Sequence, residues 1–326
     1  MVMKNILVVG GAGYIGSHAC KALSKAGYTP VVYDNLVHGH ADSVKWGPFE
    51  QGDIADGERL DAVLSKYQPE CVMHFAAFAA VGESVTDPAK YYNNNIHGSV
   101  CLLDAMRRNG VDTIVFSSTC ATYGEVKSLP IVEEAPQSPV NPYGFSKLVI
   151  EQALKDYGHA YGLKWVAMRY FNAAGLDPEG DLGERHDPET HAIPLAVLAA
   201  MRQTEFNVFG TDYDTPDGTA IRDYIHVCDL ADAHVLAIDY LQKGGESGAF
   251  NLATGKGTSV KELLDAVSQA VGADVPIKYA PRRAGDAPVL YASGDKARSL
   301  LGWTPQYTDI NLIVKTAADW FKAHRN

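Results

Sequence analysis

The sequence predicts an α/β protein built on a Rossmann-type, doubly wound parallel sheet, with a smaller C-terminal α/β substrate domain. Three observations predict this fold. Apolar, β-branched runs alternate with amphipathic helical patterns through the first half of the chain, which is typical of a parallel sheet covered by helices on both faces. A glycine-rich turn directly follows the first run and opens a helix. Beyond residue 173 the elements become shorter and less regularly spaced.

In the first half, the apolar runs predict five buried strands, of which the last closes the series: 4–9, 30–34, 71–75, 112–116 and 164–169. The helical patterns between them predict four helices: one ending near residue 27, then 57–67, 88–109 and 142–161. The second half begins with a polar stretch at 176–190, rich in Gly, Pro, Asp and Glu, which predicts a long loop.

Shorter elements are predicted after that loop. Helices begin at Ile193, Asp229 and Ser259, and the strands are 206–209, 249–252 and 277–279. We therefore predict two domains, 1–173 for cofactor binding and 174–326 for substrate binding, with some interleaving of the chain between them.

The composition limits the class of protein. Hydrophobic residues make up 46% and charged residues 21% of the 326, as in ordinary globular proteins. The net charge of −11 argues against broad nucleic-acid binding, and no apolar run is long enough to span a membrane. The five cysteines are widely spaced without a Cys-x-x-Cys pair, so neither a disulfide framework nor a metal site is indicated. The N-terminus lacks the pattern of a signal peptide, and we expect a cytoplasmic location.

The glycine turn fits Gly-x-x-Gly-x-x-Gly, with Gly10, Gly13 and Gly16. Such glycines let the backbone turn tightly and approach a pyrophosphate at the N-terminus of the following helix. Asp34 ends the next strand, where a carboxylate accepts hydrogen bonds from a ribose 2′-hydroxyl and repels a 2′-phosphate. This pattern predicts NAD rather than NADP. Asp53 could meet the adenine edge, or it could be a turn or N-cap residue.

Tyr143 and Lys147 form a Tyr-x-x-x-Lys pattern just after Asn141-Pro142, where a helix should begin. Residues four apart share one helix face, so an ammonium would lie beside the phenol and favour its ionised form. Lowering a tyrosine pKa of ~10 by ~3 units would take ~4 kcal/mol. Thr119 or Ser118 could then act as a hydrogen-bonding relay. The alternative is a half-buried tyrosine with a solvated lysine.

Taken together and in order, these motifs resemble the extended short-chain dehydrogenase/reductase family, and within it the 4-epimerases of UDP-glucose and UDP-galactose. The similar stretches span nearly the whole chain: 10–18, 33–35, 52–54, 74–84, 92–98, 116–124, 142–147, 169–175, 209–230, 251–255 and 282–286. The resemblance implies an enzyme that reversibly epimerises C4 of a UDP-hexose through a transient 4-keto intermediate, with tightly bound NAD. It also implies a homodimer, with NAD in the first domain and the UDP-sugar in the second.

The resemblance implies a role for each residue that matches a family motif. The catalytic residues are Thr119, Tyr143 and Lys147. The implied NAD contacts are Gly10, Gly13, Tyr14, Ile15, Gly16, Asp34, Asn35, Asp53, Ile54, Phe75, Ala76, Ala77, Asn95, Ser117, Tyr143, Lys147 and Tyr170. The implied substrate contacts are Ser118, Thr119, Tyr143, Asn172, Arg222, Arg283, Asp286 and Leu290. The chain departs from the family pattern at two positions. Several members carry Lys or Glu where this chain has Ala79, and some carry a substrate-contacting Asn where it has His191. The alternative for His191 is a residue at a helix start.

The residues after Thr119 distinguish the reaction type. Dehydratases of the resembling family carry Asp-Glu there, whereas this chain has Cys120 and Ala121. Alanine has no group that could abstract the proton next to a carbonyl, so elimination lacks its base. The remaining alternatives are a 4-epimerase for a UDP-N-acetylhexosamine or a UDP-pentose, and a non-catalytic NAD-binding regulator. Leu290 is intermediate in size and favours the unmodified hexoses.

Overall fold

The computed structural model describes residues 4–126, 128–283 and 287–324. The strands are β1 (Asn5–Val9), β2 (Thr29–Asp34), β3 (Phe49–Gln51), β4 (Cys71–His74), β5 (Thr113–Ser117), β6 (Lys164–Tyr170), β7 (Asn172–Ala174), β8 (Phe206–Phe209), β9 (Ile221–Arg222), β10 (Tyr224–His226), β11 (Gly248–Leu252), β12 (Thr258–Ser259), β13 (Ile277–Ala280) and β14 (Val289–Leu290). The helices are α1 (Tyr14–Lys25), α2 (Gly57–Tyr67), α3 (Val81–Thr86), α4 (Pro88–Tyr91), α5 (Gly98–Arg108), α6 (Pro142–Tyr161), α7 (Ala192–Arg202), α8 (Val227–Gln242), α9 (Val260–Val271) and α10 (Ile310–Ala323).

Seven strands form one parallel sheet in the order β11-β6-β5-β4-β1-β2-β3. Successive side chains of a strand point to opposite faces, so Ile6 and Val8 enter the core beneath α1 and α8. Leu7 and Val9 enter the second core, beneath α2, α5 and α6. The doubly wound α/β prediction is therefore confirmed. The strand order reverses between β1 and β4, and such sheets bind ligands at the carboxyl ends beside this point.

The prediction that strand 164–169 closes the series was wrong. β11 comes from the second half of the chain and pairs with β6 along its length, from Gly248 opposite Val166 to Leu252 opposite Tyr170. β3 adds a short strand at the other edge. Local patterns reveal a strand but not its partner, so this long-range pairing could not be predicted. The helix predicted at 88–109 is also interrupted, because a π-helical turn at Tyr92–His97 separates α4 from α5.

The later elements form a smaller group around their own apolar core, which joins α7, α9 and α10. The pair β8–β13 and the three-stranded sheet β12-β9-β14 lie in this part of the chain. α9 begins where Ser259 and Glu262 form a reciprocal capping box, and it ends at Gly272 in the left-handed conformation. The division at residue 173 stays a prediction, and the docking of α8 and β11 on the first half supports the interleaving it includes.

None of the helices in the described ranges combines the length and apolar character required to cross a membrane.

Candidate active site

The glycine turn at the start of α1 leaves open space for a ligand. A Cβ added at Gly10, which has φ +84°, would lie 2.5 Å from the Ala76 nitrogen, and one at Gly16 would lie 2.1 Å from the Gly10 oxygen. Packing alone therefore requires these two glycines. Gly13 differs, because its φ of −80° suits any residue and its added Cβ would meet only the Gly10 oxygen, at 3.4 Å. No side chain caps this helix N-terminus, so the N–H groups and the free space fit a pyrophosphate.

Asp34 lies buried at the carboxyl end of β2, beside this turn. Its Oδ2 accepts a hydrogen bond from the Ala12 N–H at 3.0 Å, and its Oδ1 accepts one from the Leu36 N–H at 2.8 Å. Burial raises the pKa of Asp34, while the two N–H groups oppose that rise. Each carboxylate oxygen keeps a further lone pair, so Asp34 can still accept from a ribose hydroxyl.

Asn35 and Asp53 meet at the ends of β2 and β3. The Asn35 amide donates to Asp53 Oδ2 at 2.9 Å, and Asp53 Oδ1 accepts from the Ala55 N–H at 2.9 Å. Asp53 is exposed and Ile54 is buried. The N-cap of α2 is Asp56, so Asp53 is a turn residue, and its contact with the adenine stays a prediction.

Asn95 lies in the π-helical turn and holds the segment after β4. Its amide nitrogen donates to the Phe78 carbonyl at 3.0 Å and to Ser146 Oγ at 3.1 Å, while its oxygen accepts from the Phe78 N–H at 2.9 Å. All of its donors are used within the protein. Asn95 therefore shapes the loop that carries Phe75, Ala76 and Ala77 toward the glycine turn.

The first turn of α6 carries the candidate base. Asn141 caps this helix by accepting from the Gly144 N–H at 2.8 Å, which fixes where the helix begins and places Tyr143 in its first turn. Lys147 follows one turn later, fully buried, and its Nζ donates to the Ser117 carbonyl at 2.8 Å. The Thr119 hydroxyl lies close enough to Tyr143 to lower the pKa of the phenol by hydrogen bonding. The structure thus brings together the predicted tyrosine, lysine and threonine at the carboxyl end of β5.

Burial dominates the electrostatics of this group. Burial raises the pKa of Tyr143 to about 12, although the hydrogen bond with Thr119 lowers it. Burial also lowers the pKa of Lys147 to about 7, against the attraction of Glu151. The lysine is itself desolvated and directs its nitrogen at a carbonyl. Burial is thus the largest influence on both groups, and the expectation that the Lys147 ammonium favours the phenolate stays a prediction.

Ser118 points away from this group. Its hydroxyl donates to Glu151 Oε1 at 2.5 Å, and the side chain is buried. Arg169 donates two hydrogen bonds to the same carboxylate, of 3.0 Å and 2.5 Å, and a third to the Tyr123 hydroxyl at 2.9 Å. This geometry favours Thr119 over Ser118 as the hydroxyl that serves Tyr143. The sequence reasoning missed the Glu151–Arg169 pair, for which a charged residue inside a predicted buried strand was the available signal.

Two further predicted residues, Tyr170 and Asn172, lie at the end of β6 and at the start of β7. The hydroxyls of Tyr170 and Ser117 lie 2.5 Å apart, which joins the ends of the two strands. The Asn172 amide donates to the Asp223 carbonyl at 3.0 Å. Both residues therefore lie on the same edge of the sheet as Tyr143.

The predicted substrate residues of the second half are only partly brought together. Arg222 on β9 lies opposite Leu290 on β14. Leu290 is half-buried and packs against the cluster of Cys120 and Tyr123, directly after Thr119. The Arg283 guanidinium lies 3.9 Å from the ring centroid of Phe209. Asp286 lies outside the described residues.

The loop before α7 carries a cluster that the sequence reasoning did not anticipate. Glu184, His186, Glu189 and His191 place their ligand-type atoms within 4.8 Å of one another. His191 is the N-cap of α7 but makes no capping bond with its side chain, so it is indeed a helix-start residue. Its ring faces the two carboxylates instead. The alternating spacing Glu-x-His-x-x-Glu-x-His is the signal that could have found the cluster.

Comparison with known proteins gives consistent matches over the whole chain. The model of the NAD dependent epimerase/dehydratase family matches residues 6–253. The UDP-glucose 4-epimerase of Rhizobium meliloti (strain 1021) is 59% identical, over 98% of each chain. The crystal structure of UDP-glucose 4-epimerase from Brucella ovis in complex with NAD superimposes with a TM-score of 0.96 at 54% identity, covering 98% of each chain. That from Bifidobacterium longum in complex with NAD+ and UDP gives a TM-score of 0.92 at 38% identity, covering 99% of each.

Proposed function

The chain belongs to the NAD dependent epimerase/dehydratase family, and we infer that it is an NAD-dependent enzyme that interconverts UDP-glucose and UDP-galactose by epimerisation at C4. The observation that carries this inference is the group of Tyr143, Thr119 and Lys147 at the carboxyl end of the sheet, beside the open glycine turn. Cys120 and Ala121 follow Thr119 in place of an acidic pair, so the site holds no base for loss of water. A non-catalytic regulator would not need the tyrosine and lysine that this chain keeps.

The residues at the glycine turn fit NAD. We propose that the space beside Gly13 receives the pyrophosphate, that Asp34 accepts from the adenosine ribose and that Asn35 and Asp53 flank the adenine. The carboxylate of Asp34 excludes the 2′-phosphate of NADP by charge. The chemistry that NAD supplies when bound is the reversible uptake of a hydride from C4 of the sugar.

The residues of α6 and β5 handle the proton of this reaction. Tyr143 takes the proton of the sugar 4-hydroxyl at its phenolic oxygen and returns it after the sugar has turned over. The Thr119 hydroxyl lowers the pKa of that oxygen and is the hydroxyl placed to share its proton. Lys147 lies one helical turn after Tyr143 and is held there by its hydrogen bond to the Ser117 carbonyl. The charge of Lys147 opposes the rise in the Tyr143 pKa that burial causes.

The substrate end is assigned to the second half of the chain. We propose that Arg222, Arg283 and Asp286 hold the UDP. The two arginines suit the diphosphate because guanidiniums bind diphosphates by paired hydrogen bonds. A 4-keto sugar can then rotate about its diphosphate link while the nucleotide stays bound. Asn172 and Leu290 border the space for the sugar, and the position of Leu290 next to the Thr119 segment supports this assignment.

A homodimer and a cytoplasmic location complete the proposal. Four exposed apolar side chains on α3, the π-helical turn and α6 support self-association: Val81, Val85, Tyr92 and Phe145. Light scattering of the purified protein should give twice the mass of the 35.2 kDa chain. A mass of one chain would refute the dimer without affecting the assigned reaction.

The proposed activity can be tested without added cofactor. Purified protein should convert UDP-glucose to UDP-galactose, as followed by proton NMR of the anomeric signals, and should release NAD on denaturation. The same equilibrium mixture should form from UDP-galactose. A protein that releases NAD but forms no product would be a binding protein instead, and a product lighter by one water would indicate elimination.

A further inference from the structure

We propose that Glu184, His186, Glu189 and His191 form a binding site for one divalent cation of the zinc class, which fixes the loop before α7 against the glycine turn. Two imidazoles and two carboxylates are a donor set that suits Zn²⁺. All four groups come from one eight-residue stretch, so the loop must fold back on itself to bring them together.

The distances between the donor atoms fit a tetrahedral ion. Bonds of about 2.0–2.2 Å place the ligand atoms of a tetrahedral zinc site about 3.3–3.6 Å apart. Glu184 Oε1 lies 3.2 Å from His186 Nδ1 and 2.9 Å from His191 Nδ1. The Glu189 oxygens lie 3.0 Å from His191 Nδ1 and 3.7 Å from His186 Nδ1. The two Glu189 distances belong to different oxygens of its carboxylate, and all four ligand atoms lie within 4.8 Å of one another, so binding would draw the side chains together to the expected values.

Hydrogen bonding within the cluster is incomplete. Glu184 is only 3% exposed, yet its Oε1 has no hydrogen-bond partner among the described residues. His186 Nδ1 is buried in the same way and also lacks one. The two atoms face each other at ion-pair distance without the geometry of a hydrogen bond. A buried carboxylate oxygen left in this way is costly, and a cation bound between the two groups would satisfy both.

The alternative is a network of two ion pairs, with both imidazoles protonated. That network accounts for the contacts of Glu189, which accepts from the N–H of His191 at 2.8 Å and lies 3.0 Å from its ring nitrogen. It also pairs Glu184 Oε1 with both imidazoles, at 3.2 Å and 2.9 Å, but leaves Glu184 Oε1 and His186 Nδ1 without a hydrogen bond of acceptable geometry. The cation accounts for all four side chains, and for this reason we favour it.

The surroundings indicate a structural role for the ion. The Tyr14 ring contacts His186 edge-on, with centroids 6.2 Å apart, and the Tyr14 hydroxyl donates to the Gly175 carbonyl. The Arg185 side chain forms an ion pair with Asp42. The Arg185 carbonyl oxygen lies 2.9 Å from the His40 ring nitrogen Nε2. The cluster therefore sits where the loop crosses the first turn of α1. Four protein ligands would leave no open position for substrate, as in structural zinc sites.

The test uses the full chain without an affinity tag, so that no added histidines bind metal. Protein treated with a chelator and then dialysed is titrated with Zn²⁺ in competition with a chromophoric chelator. Bound metal is counted by mass spectrometry. Co²⁺ is titrated in parallel, because its visible spectrum distinguishes four-coordinate from six-coordinate binding. His186→Asn and His191→Asn remove one ligand each, and His159→Asn, at an exposed position on α6, is the matched control.

We expect one Zn²⁺ per chain and a four-coordinate Co²⁺ spectrum in the wild type and in His159→Asn. Each ligand variant should bind at least about 100-fold more weakly, since loss of an outer-shell contact alone can cost 10–100-fold. Circular dichroism establishes that the variants are folded. Zn²⁺ should also slow proteolysis of the loop in the wild type but not in His186→Asn. The proposal is overturned if the wild type binds no metal, if Co²⁺ is six-coordinate, or if the ligand variants bind as well as the control.

Discussion

Replacing Glu151 by Gln should destabilise the protein far more than the loss of a typical ion pair. Glu151 and Arg169 are 6% and 5% exposed, and the carboxylate accepts from Ser118, from Gln137 and twice from Arg169. The amide keeps the shape of the side chain but removes its charge. The Arg169 guanidinium would then remain buried without a counter-charge, with the Tyr123 hydroxyl, the Glu133 carbonyl and one glutamine oxygen as neutral acceptors.

The magnitude follows from this burial. Removing one partner of a buried pair costs about 3–5 kcal/mol, because an uncompensated charge is left in the interior. Exposed pairs contribute about 0–1 kcal/mol. The glutamine oxygen can still accept one hydrogen bond, so we expect a loss of about 3 kcal/mol. This is a large part of a native stability of about 5–15 kcal/mol.

The assay is urea denaturation at one fixed, saturating NAD concentration. It compares the wild type, Glu151→Gln, Arg169→Met and the double variant. The double variant should lose about 2 kcal/mol less than the sum of the single losses, since neither charge is left alone. Glu205→Gln, which breaks the exposed pair with Lys278 at 3.1 Å, is the control and should lose at most about 1 kcal/mol. A loss below about 1 kcal/mol in Glu151→Gln, or additive losses, would refute the reasoning.

Four further predictions concern the proposed reaction. Tyr143→Phe should lower kcat by about 100-fold or more while NAD stays bound, and near wild-type turnover would exclude Tyr143 as the base. Lys147→Met should be nearly inactive at neutral pH and should recover as pH rises toward the tyrosine pKa of about 12, because only the phenolate accepts the proton; a flat pH profile would contradict the pairing. Asp34→Asn should let NADP reactivate the apo-protein, whereas equal reactivation of the wild type by NAD and NADP would show that Asp34 does not select the cofactor. The wild type should turn over N-acetylated UDP-hexoses roughly ten- to a hundred-fold more slowly, and Leu290→Gly should narrow this ratio while Leu290→Tyr widens it; an unchanged ratio in both variants would place Leu290 outside the sugar pocket.

The parts of the site that could be predicted from the sequence are those set by local rules. A strand, a tight turn and a helix N-terminus occupy consecutive residues, so the pattern of residue types alone was enough to predict a glycine turn between β1 and a helix. The four-residue spacing of Tyr143 and Lys147 likewise predicts, from local sequence alone, that the two side chains share one face of α6. Asp34 needed one further step, the rule that an acidic residue ends the second strand, and it is found there.

The parts that could not be predicted depend on contacts between distant residues. Ser118 and Thr119 are adjacent residues directly after β5, and only the position of Glu151 determines which of the two hydroxyls is bound away from Tyr143. β11 reaches β6 from the far half of the chain. The spacing of Glu184, His186, Glu189 and His191 could have revealed a cluster, but its contact with the first helix through Tyr14 could not be predicted from that spacing.

A row of three side chains on α6 explains why Lys147 has a pKa near neutrality. Tyr143, Lys147 and Glu151 are four residues apart, so they lie on one helix face, running from the active site into the core. Burial disfavours the ammonium, and the carboxylate one turn behind partly restores it. Arg169 already neutralises that carboxylate, which limits the help that Lys147 receives. Glu151 thus sets the charge available beside Tyr143 without touching the substrate, and Arg169 sets how much of the Glu151 charge reaches Lys147.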